Sequence, residues 1–389
     1  MEAAVVRAVD RSIRAGRVPT PSTIGRIADE QLEVLGARGR DLAADALTDR
    51  LVGLGPLAVL VRDPAVTDVL VNGDGTVWVD RGDGVRPTGQ RVAAGELRAL
   101  AVRLAGLAGR RLDDAQPWVD GTLPGGVRLH AVLPPLAEDG PQVSLRIARR
   151  RPGGLAALAA LGAVGPQMAQ ALRALVRVRA SFLVTGGTGA GKTTVLGALL
   201  AECPAQERIV VVEDVRELDP EHPHVVRLQG RAANVEGAGE VTLAVLVRQA
   251  LRMRPDRLVV GEVRGPEVRD LLAALNTGHD GGAGTLHANG PAEVPARLEA
   301  LGSLAGMPRE AVHAQLRGAL HAVVHVARRP DGRRLVERIG VPAVDPGGFV
   351  VVRTALCDGS GGARQGEGWG DLRALLGSDA AGAGPWPAG

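Results

Sequence analysis

The chain has 389 residues, 45% hydrophobic and 23% charged, with 46 basic against 43 acidic side chains; this balance excludes disorder throughout and leaves room for two or three domains. The net charge of +3 does not mark a nucleic-acid surface, and two Phe, four Trp and no Tyr leave little for a base-stacking platform. No apolar run approaches the roughly 18 to 20 residues that cross a bilayer, Glu2, Arg7, Asp10 and Arg11 stand where an export signal needs its apolar segment, and two cysteines, Cys203 and Cys357, suit a reducing compartment, so a cytoplasmic chain is expected.

Apolar positions three and four apart over 28–54 predict an amphipathic helix, and residues 1–55 are read as a helical N-terminal segment. From Val66 the period becomes two: Val69 and Val71, then Val77 and Val79, flank Asn72-Gly73-Asp74-Gly75, the pattern of a hairpin. Strands follow over 127–133 and 143–147, so 56–150 reads as a small α+β domain. Arg149-Arg150-Arg151-Pro152-Gly153-Gly154 breaks the periodicity as an interdomain linker would; 151–178 is assigned to linker and first helix. Short apolar runs at 182–185, 209–212 and 258–260 alternate with helical stretches at 192–201 and 243–253, which predicts an α/β fold with buried parallel strands over 179–345. Residues 346–389 are read as a strand and a flexible Gly-, Ala- and Pro-rich tail, mobile after about Cys357 apart from one short helix near Leu372.

Gly186-Gly187-Thr188-Gly189-Ala190-Gly191-Lys192-Thr193 satisfies G-x-x-x-x-G-K-[ST] between a predicted strand and a predicted helix. The glycines let backbone N–H groups wrap phosphate oxygens, and the helix N-terminus adds partial positive charge. Lys192 would reach the β- and γ-phosphates and the Thr193 hydroxyl would ligate Mg²⁺; Thr194 is a neighbour without a required role. From the chain's own composition such a match arises by chance in roughly one sequence per thousand. Lys192 is the only lysine in the chain, and since guanine readers usually employ a second one, ATP is favoured as the nucleotide.

Ile209-Val210-Val211-Val212 ends in Glu213-Asp214, and Leu258-Val259-Val260-Gly261 ends in Glu262. Carboxylates at the carboxyl ends of such strands can hold Mg²⁺, directly or through water, and orient the attacking water; Glu217 is an alternative to Glu213 in the second role. His279 and His287 flank a glycine-rich turn and a short strand, where an imidazole could bond a phosphate oxygen or a carboxylate. His313, His321 and His325 are read as packing residues. In the N-terminal domain Arg128 and Arg146 point from the open face of two strands, a disposition that suits a triphosphate.

With these residues assembled, the chain resembles the type II/type IV secretion ATPases over roughly residues 51–341, and within them the tight-adherence (Tad) pilus branch, TadA/CpaF-like. The likeness rests on TGGTGAGKTT, VVVEDVREL, LRMRPDRLVVGEVRG and NTGHDGGAGTLHAN in that order, with GLGPLAVLVRDPAVTDVLVNG upstream. Trp118, where an aliphatic residue is expected, and Pro124-Gly125-Gly126-Val127, which lacks an acidic turn residue, depart from the pattern without touching the hydrolytic groups. The resemblance implies a RecA-like P-loop NTPase domain preceded by a PAS-like domain, with Arg128 and Arg146 as nucleotide-contacting arginines. It further implies a hexameric ring of ATPases bound peripherally, through an inner-membrane platform protein, to the inner face of the plasma membrane; the small net charge and scarce aromatics add the expectation of no direct nucleic-acid contact. A P-loop kinase, a non-hydrolytic nucleotide-gated scaffold and a DNA-transfer motor are the competing functions.

Overall fold

The computed structural model describes residues 53–147, 153–231, 233, 238–359 and 362–377. The helix expected before Leu54 and most of the expected linker lie outside them. The chain divides into two compact units, Met1–Arg149 and Arg150–Gly389.

The first unit is built on an antiparallel sheet of β1 (Asp68–Val71), β2 (Thr76–Asp80), β3 (Val85–Arg91), β4 (Trp118–Thr122), β5 (Val127–Val132) and β6 (Gln142–Ile147), in the order β3-β2-β1-β6-β5-β4. Alternation decides which face is buried: Val69, Val71, Val77, Val79, Leu129, Ala131, Val143 and Leu145 join Leu97, Leu100, Ala101 and Leu104 in one core. Those last four belong to α2 (Ala94–Leu107), which follows a short α1 (Ala58–Arg62). The Asn72 to Gly75 hairpin forms as its residues predict, with Val71 opposite Val77. Its glycines answer close approaches: a Cβ on Gly73 would lie 2.2 Å from the Asp139 carbonyl oxygen, and one on Gly75, at φ +83°, 2.1 Å from that of Val92.

The second unit carries nine strands in the order β15-β14-β13-β12-β7-β11-β10-β8-β9. Six are mutually parallel: β7 (Phe182–Thr185), β8 (Ile209–Glu213), β9 (Val225–Gln229), β10 (Arg257–Val263), β11 (Ala283–Leu286) and β12 (Ala322–Arg328). An antiparallel meander of β13 (Arg334–Val344), β14 (Val350–Gly359) and β15 (Gly362–Gln365) extends the β12 edge. Both faces are covered, which is why the central strands read as unbroken apolar runs. One layer holds α3 (Leu155–Ala160), α4 (Pro166–Arg177) and α5 (Lys192–Ala201); the other holds α6 (Leu243–Ala250), α7 (Glu267–Leu275), α8 (Val294–Leu304) and α9 (Arg309–Ala319).

The C-terminal boundary differs from expectation. β13 and β14 form one hairpin across position 345, and the described residues after Cys357 fold through α10 (Trp369–Leu376), whose Leu372 and Leu376 are buried in the first layer. Apolar spacing of three and four at Trp369, Leu372 and Leu376 outweighs the surrounding glycine. Residues 151–178 hold two helices where one was expected, α4 contributing Met168, Leu172 and Leu175 to the core.

Candidate functional site: a phosphate loop at the carboxyl edge of the parallel sheet

The glycine loop follows β7 at the carboxyl edge of the sheet and leads directly into α5. Gly186, Gly189 and Gly191 stand at φ +153°, +69° and +103°, where a side chain is strained. At Gly186 a Cβ would also lie 2.3 Å from the Val326 carbonyl oxygen of β12, whereas Gly187 and Gly189 face open space. Ala190 is buried and supports the loop from within. Lys192 Nζ donates to the carbonyls of Gly186 (3.0 Å) and Gly187 (3.1 Å), which folds the ammonium back over the loop. Burial pulls its pKa down, opposed by the charges of Glu262 and then Glu217. Thr193 is half-buried in the first turn of α5 and Thr194 is exposed.

The parallel order β7-β11-β10-β8 places the ends of neighbouring strands about 4.8 Å apart, so one edge presents the loop, His287, Glu262 and Glu213 in succession. His287, just past β11, meets Thr188 Oγ1 through Nε2 at 2.9 Å. Glu262 is exposed on β10. Glu213 is 5% exposed, and its Oε1 accepts the N–H groups of Glu217 and Leu218, each at 3.0 Å. Burial pushes its carboxyl up to about 7 in spite of those bonds. Gly261 permits this placement, since a Cβ there would lie 2.5 Å from Glu213 Cγ. Beside it Asp214 pairs with Arg264, joining the ends of β8 and β10, and Glu267 Oε1 accepts the N–H groups of Arg264 and Gly265, both at 2.7 Å.

His279 is not brought to this edge. It precedes β11, at the amino edge of the sheet, where the neighbouring Gly282 carbonyl accepts the Phe182 N–H at the start of β7. Its Nδ1 is buried without a hydrogen-bond partner among the described residues. The glycines after it serve packing: a Cβ on Gly281 would lie 2.8 Å from Arg257 Nη1 and one on Gly282 2.2 Å from Leu275 Cδ2. The three histidines read as packing residues fill that role. His313 contacts Glu299 Oε1 through Nε2 (2.7 Å) and accepts the Val350 N–H, His321 accepts the Ser181 N–H, and His325 lies 3.0 Å from Thr185 Oγ1.

Arg128 and Arg146 belong to the first unit, where they are direct cross-strand partners on β5 and β6, one half-buried and the other exposed. One residue at the phosphate loop escaped the sequence reading: Arg334, on β13, whose Nε donates to the Gly189 carbonyl at 2.8 Å. No local spacing signals it, because 145 positions separate the two residues.

A parallel sheet that delivers a glycine loop, a lysine and strand-end glutamates to one edge is the architecture of a P-loop nucleotide-binding protein. The chain belongs to the type II/IV secretion system protein family, whose model matches residues 50–346. It is 58% identical over 302 residues to a putative conjugal transfer protein of Mycobacterium tuberculosis, covering 76% of this chain and 86% of the relative. The probable conjugal transfer protein TrbB of Sinorhizobium fredii is 31% identical over 307 residues, 78% and 91% of the two chains. Among solved structures the pilus retraction motor PilT with bound ADP is similar in fold, with a TM-score of 0.50 and 20% identity over 77% of this chain and 80% of that one.

Proposed function

We propose that this chain is an ATP-hydrolysing motor that works as a hexameric ring for a secretion or pilus-assembly machine, of the tight-adherence kind, at the cytoplasmic face of the membrane. Its second unit serves as the RecA-like ATPase domain and its first as a PAS-like domain presenting Arg128 and Arg146 to nucleotide. The single observation that carries this reading is the gathering of Lys192, Glu262 and Glu213 at one sheet edge around a loop in which Gly186, Gly189 and Gly191 are held at positive φ.

The loop N–H groups and the first turn of α5 bind the β- and γ-phosphates, and Lys192 neutralises them. The site suits Mg²⁺, since the Thr193 hydroxyl and the exposed Glu262 carboxylate supply hard oxygen donors beside the phosphate loop. When bound, the ion neutralises charge developing on the phosphate oxygens. Glu213 orients the attacking water and takes its proton, a role for which a carboxyl near neutrality is poised; Glu217 is the alternative. His287 and Thr188 link the loop to the end of β11 and so to its state of occupancy.

Among the described residues no helix is long and apolar enough to cross a membrane; in this reading a membrane-embedded platform protein is the partner through which the motor is held. A second reading, a motor for DNA transfer, is favoured by the names of the M. tuberculosis and S. fredii relatives. The net charge of +3 argues that such a motor would act on a protein partner and not grip nucleic acid itself. Phosphate-release kinetics test the proposal: Lys192→Ala and Glu262→Gln are each expected to lower turnover at least about a hundredfold. Turnover unchanged by both, or phosphate appearing only on a small acceptor, would contradict it.

A further inference from the structure

We infer that Arg334 is a positioning residue of the phosphate site, holding the crest of the loop in its binding shape through the Gly189 carbonyl. The inference rests on the phosphate-site reading above. β12 pairs with β7 as far as His325 opposite Thr185 and then runs on to Arg328, so its last residues lie beside the loop. The Val326 carbonyl oxygen closes over Gly186 there. The β12–β13 turn, with the Arg329 N–H on the Arg333 carbonyl at 2.8 Å, returns the chain so that Arg334 stands opposite Arg328. From that position Nε reaches Gly189, and Cδ lies 3.7 Å from where a Gly191 Cβ would be.

One feature gives this bond a task beyond packing. The crest is conformationally soft: Gly187, Thr188 and Gly189 are half-buried or exposed, and a Cβ on Gly187 or Gly189 would meet nothing within 4 Å. Glycines there can leave the conformation that aims their amides at phosphate, and binding must then restore it at an entropic cost. The loop is held on one side by His287 on Thr188 and on the other by Arg334 on Gly189.

A residue that preorganises the loop affects ground-state and transition-state binding alike, so its removal raises KM and leaves kcat unchanged. Steady-state hydrolysis and equilibrium titration with a fluorescent ATP analogue, on the full chain, test this. Arg334→Gln is expected to raise KM and Kd about tenfold with kcat within about twofold, the worth of one hydrogen bond to a charged group. Arg334→Lys, which keeps a charged donor, should recover most of the loss. Hydrogen exchange at the amides of 187–190 in the nucleotide-free protein should rise in Arg334→Gln, a change that holds even if turnover proves hard to measure. Wild-type Kd in Arg334→Gln, a fall in kcat at constant KM, or equal weakening by Arg333→Ala on the same hairpin would overturn the inference and leave the phosphate site standing. Equal nucleotide binding by the wild type and Lys192→Ala would overturn both.

Discussion

Burial beside Gly261 pushes the Glu213 carboxyl up to about 7, although two backbone N–H groups bond to it. The same group taken out of the fold ionises near 4.5. Between those values the native chain holds a proton that the unfolded chain has shed, so stability falls as pH rises through that window and is level above it. The loss amounts to roughly 3 kcal/mol at most. Urea unfolding from pH 4.5 to 8 should show this slope in the wild type and a flatter profile in Glu213→Gln; parallel profiles would refute the shift. Turnover has the opposite dependence: kcat should rise with pH and level off above about 7, because the ionised carboxyl is the form that accepts the proton of water. At this scale the sequence was informative about residue type and strand-end position. It could not show that Gly261 exists to let Glu213 lie flat, a relation between neighbouring strands.

The elements that carry the site are tied together behind it by a buried ion network. Arg257, at the start of β10, is 1% exposed; its Nε donates to Glu207 Oε2 at 2.5 Å and its Nη2 to the Val176 carbonyl of α4 at 2.8 Å. Arg179 Nη1 adds a bond to Glu207 Oε1 at 2.9 Å. Removing one partner leaves a desolvated charge, so Glu207→Ala should cost about 3 to 5 kcal/mol, read from the denaturant midpoint. A cost below about 1 kcal/mol would mean that water reaches Arg257.

Strands β1, β2, β7, β8 and β10 were legible because alternation or an unbroken apolar run is a local signal of burial on one face or two. β3 and β15 were not: Val-Arg-Pro-Thr-Gly-Gln-Arg and Gly-Ala-Arg-Gln are edge segments whose strand character comes from the neighbour they pair with. The same limit misplaced His279. Eight positions from His287 in sequence, it is parted from it by the length of β11, which sends the two to opposite edges of the sheet.

At the scale of the whole molecule, the phosphate loop and the strand-end carboxylates share one edge of the six parallel strands, and the antiparallel meander reaches the loop through Arg334. The four ordered sequence segments that suggested a secretion ATPase fall within the stretch matched by the family model. The claim beneath every other one is that the loop from Gly186 to Thr193 holds the nucleotide. A crystal structure of the chain grown with Mg²⁺ and a non-hydrolysable ATP analogue tests it directly. The account predicts β- and γ-phosphate density against the loop amides and Lys192 Nζ; ordered triphosphate density at any other place, with the loop bare, would contradict it.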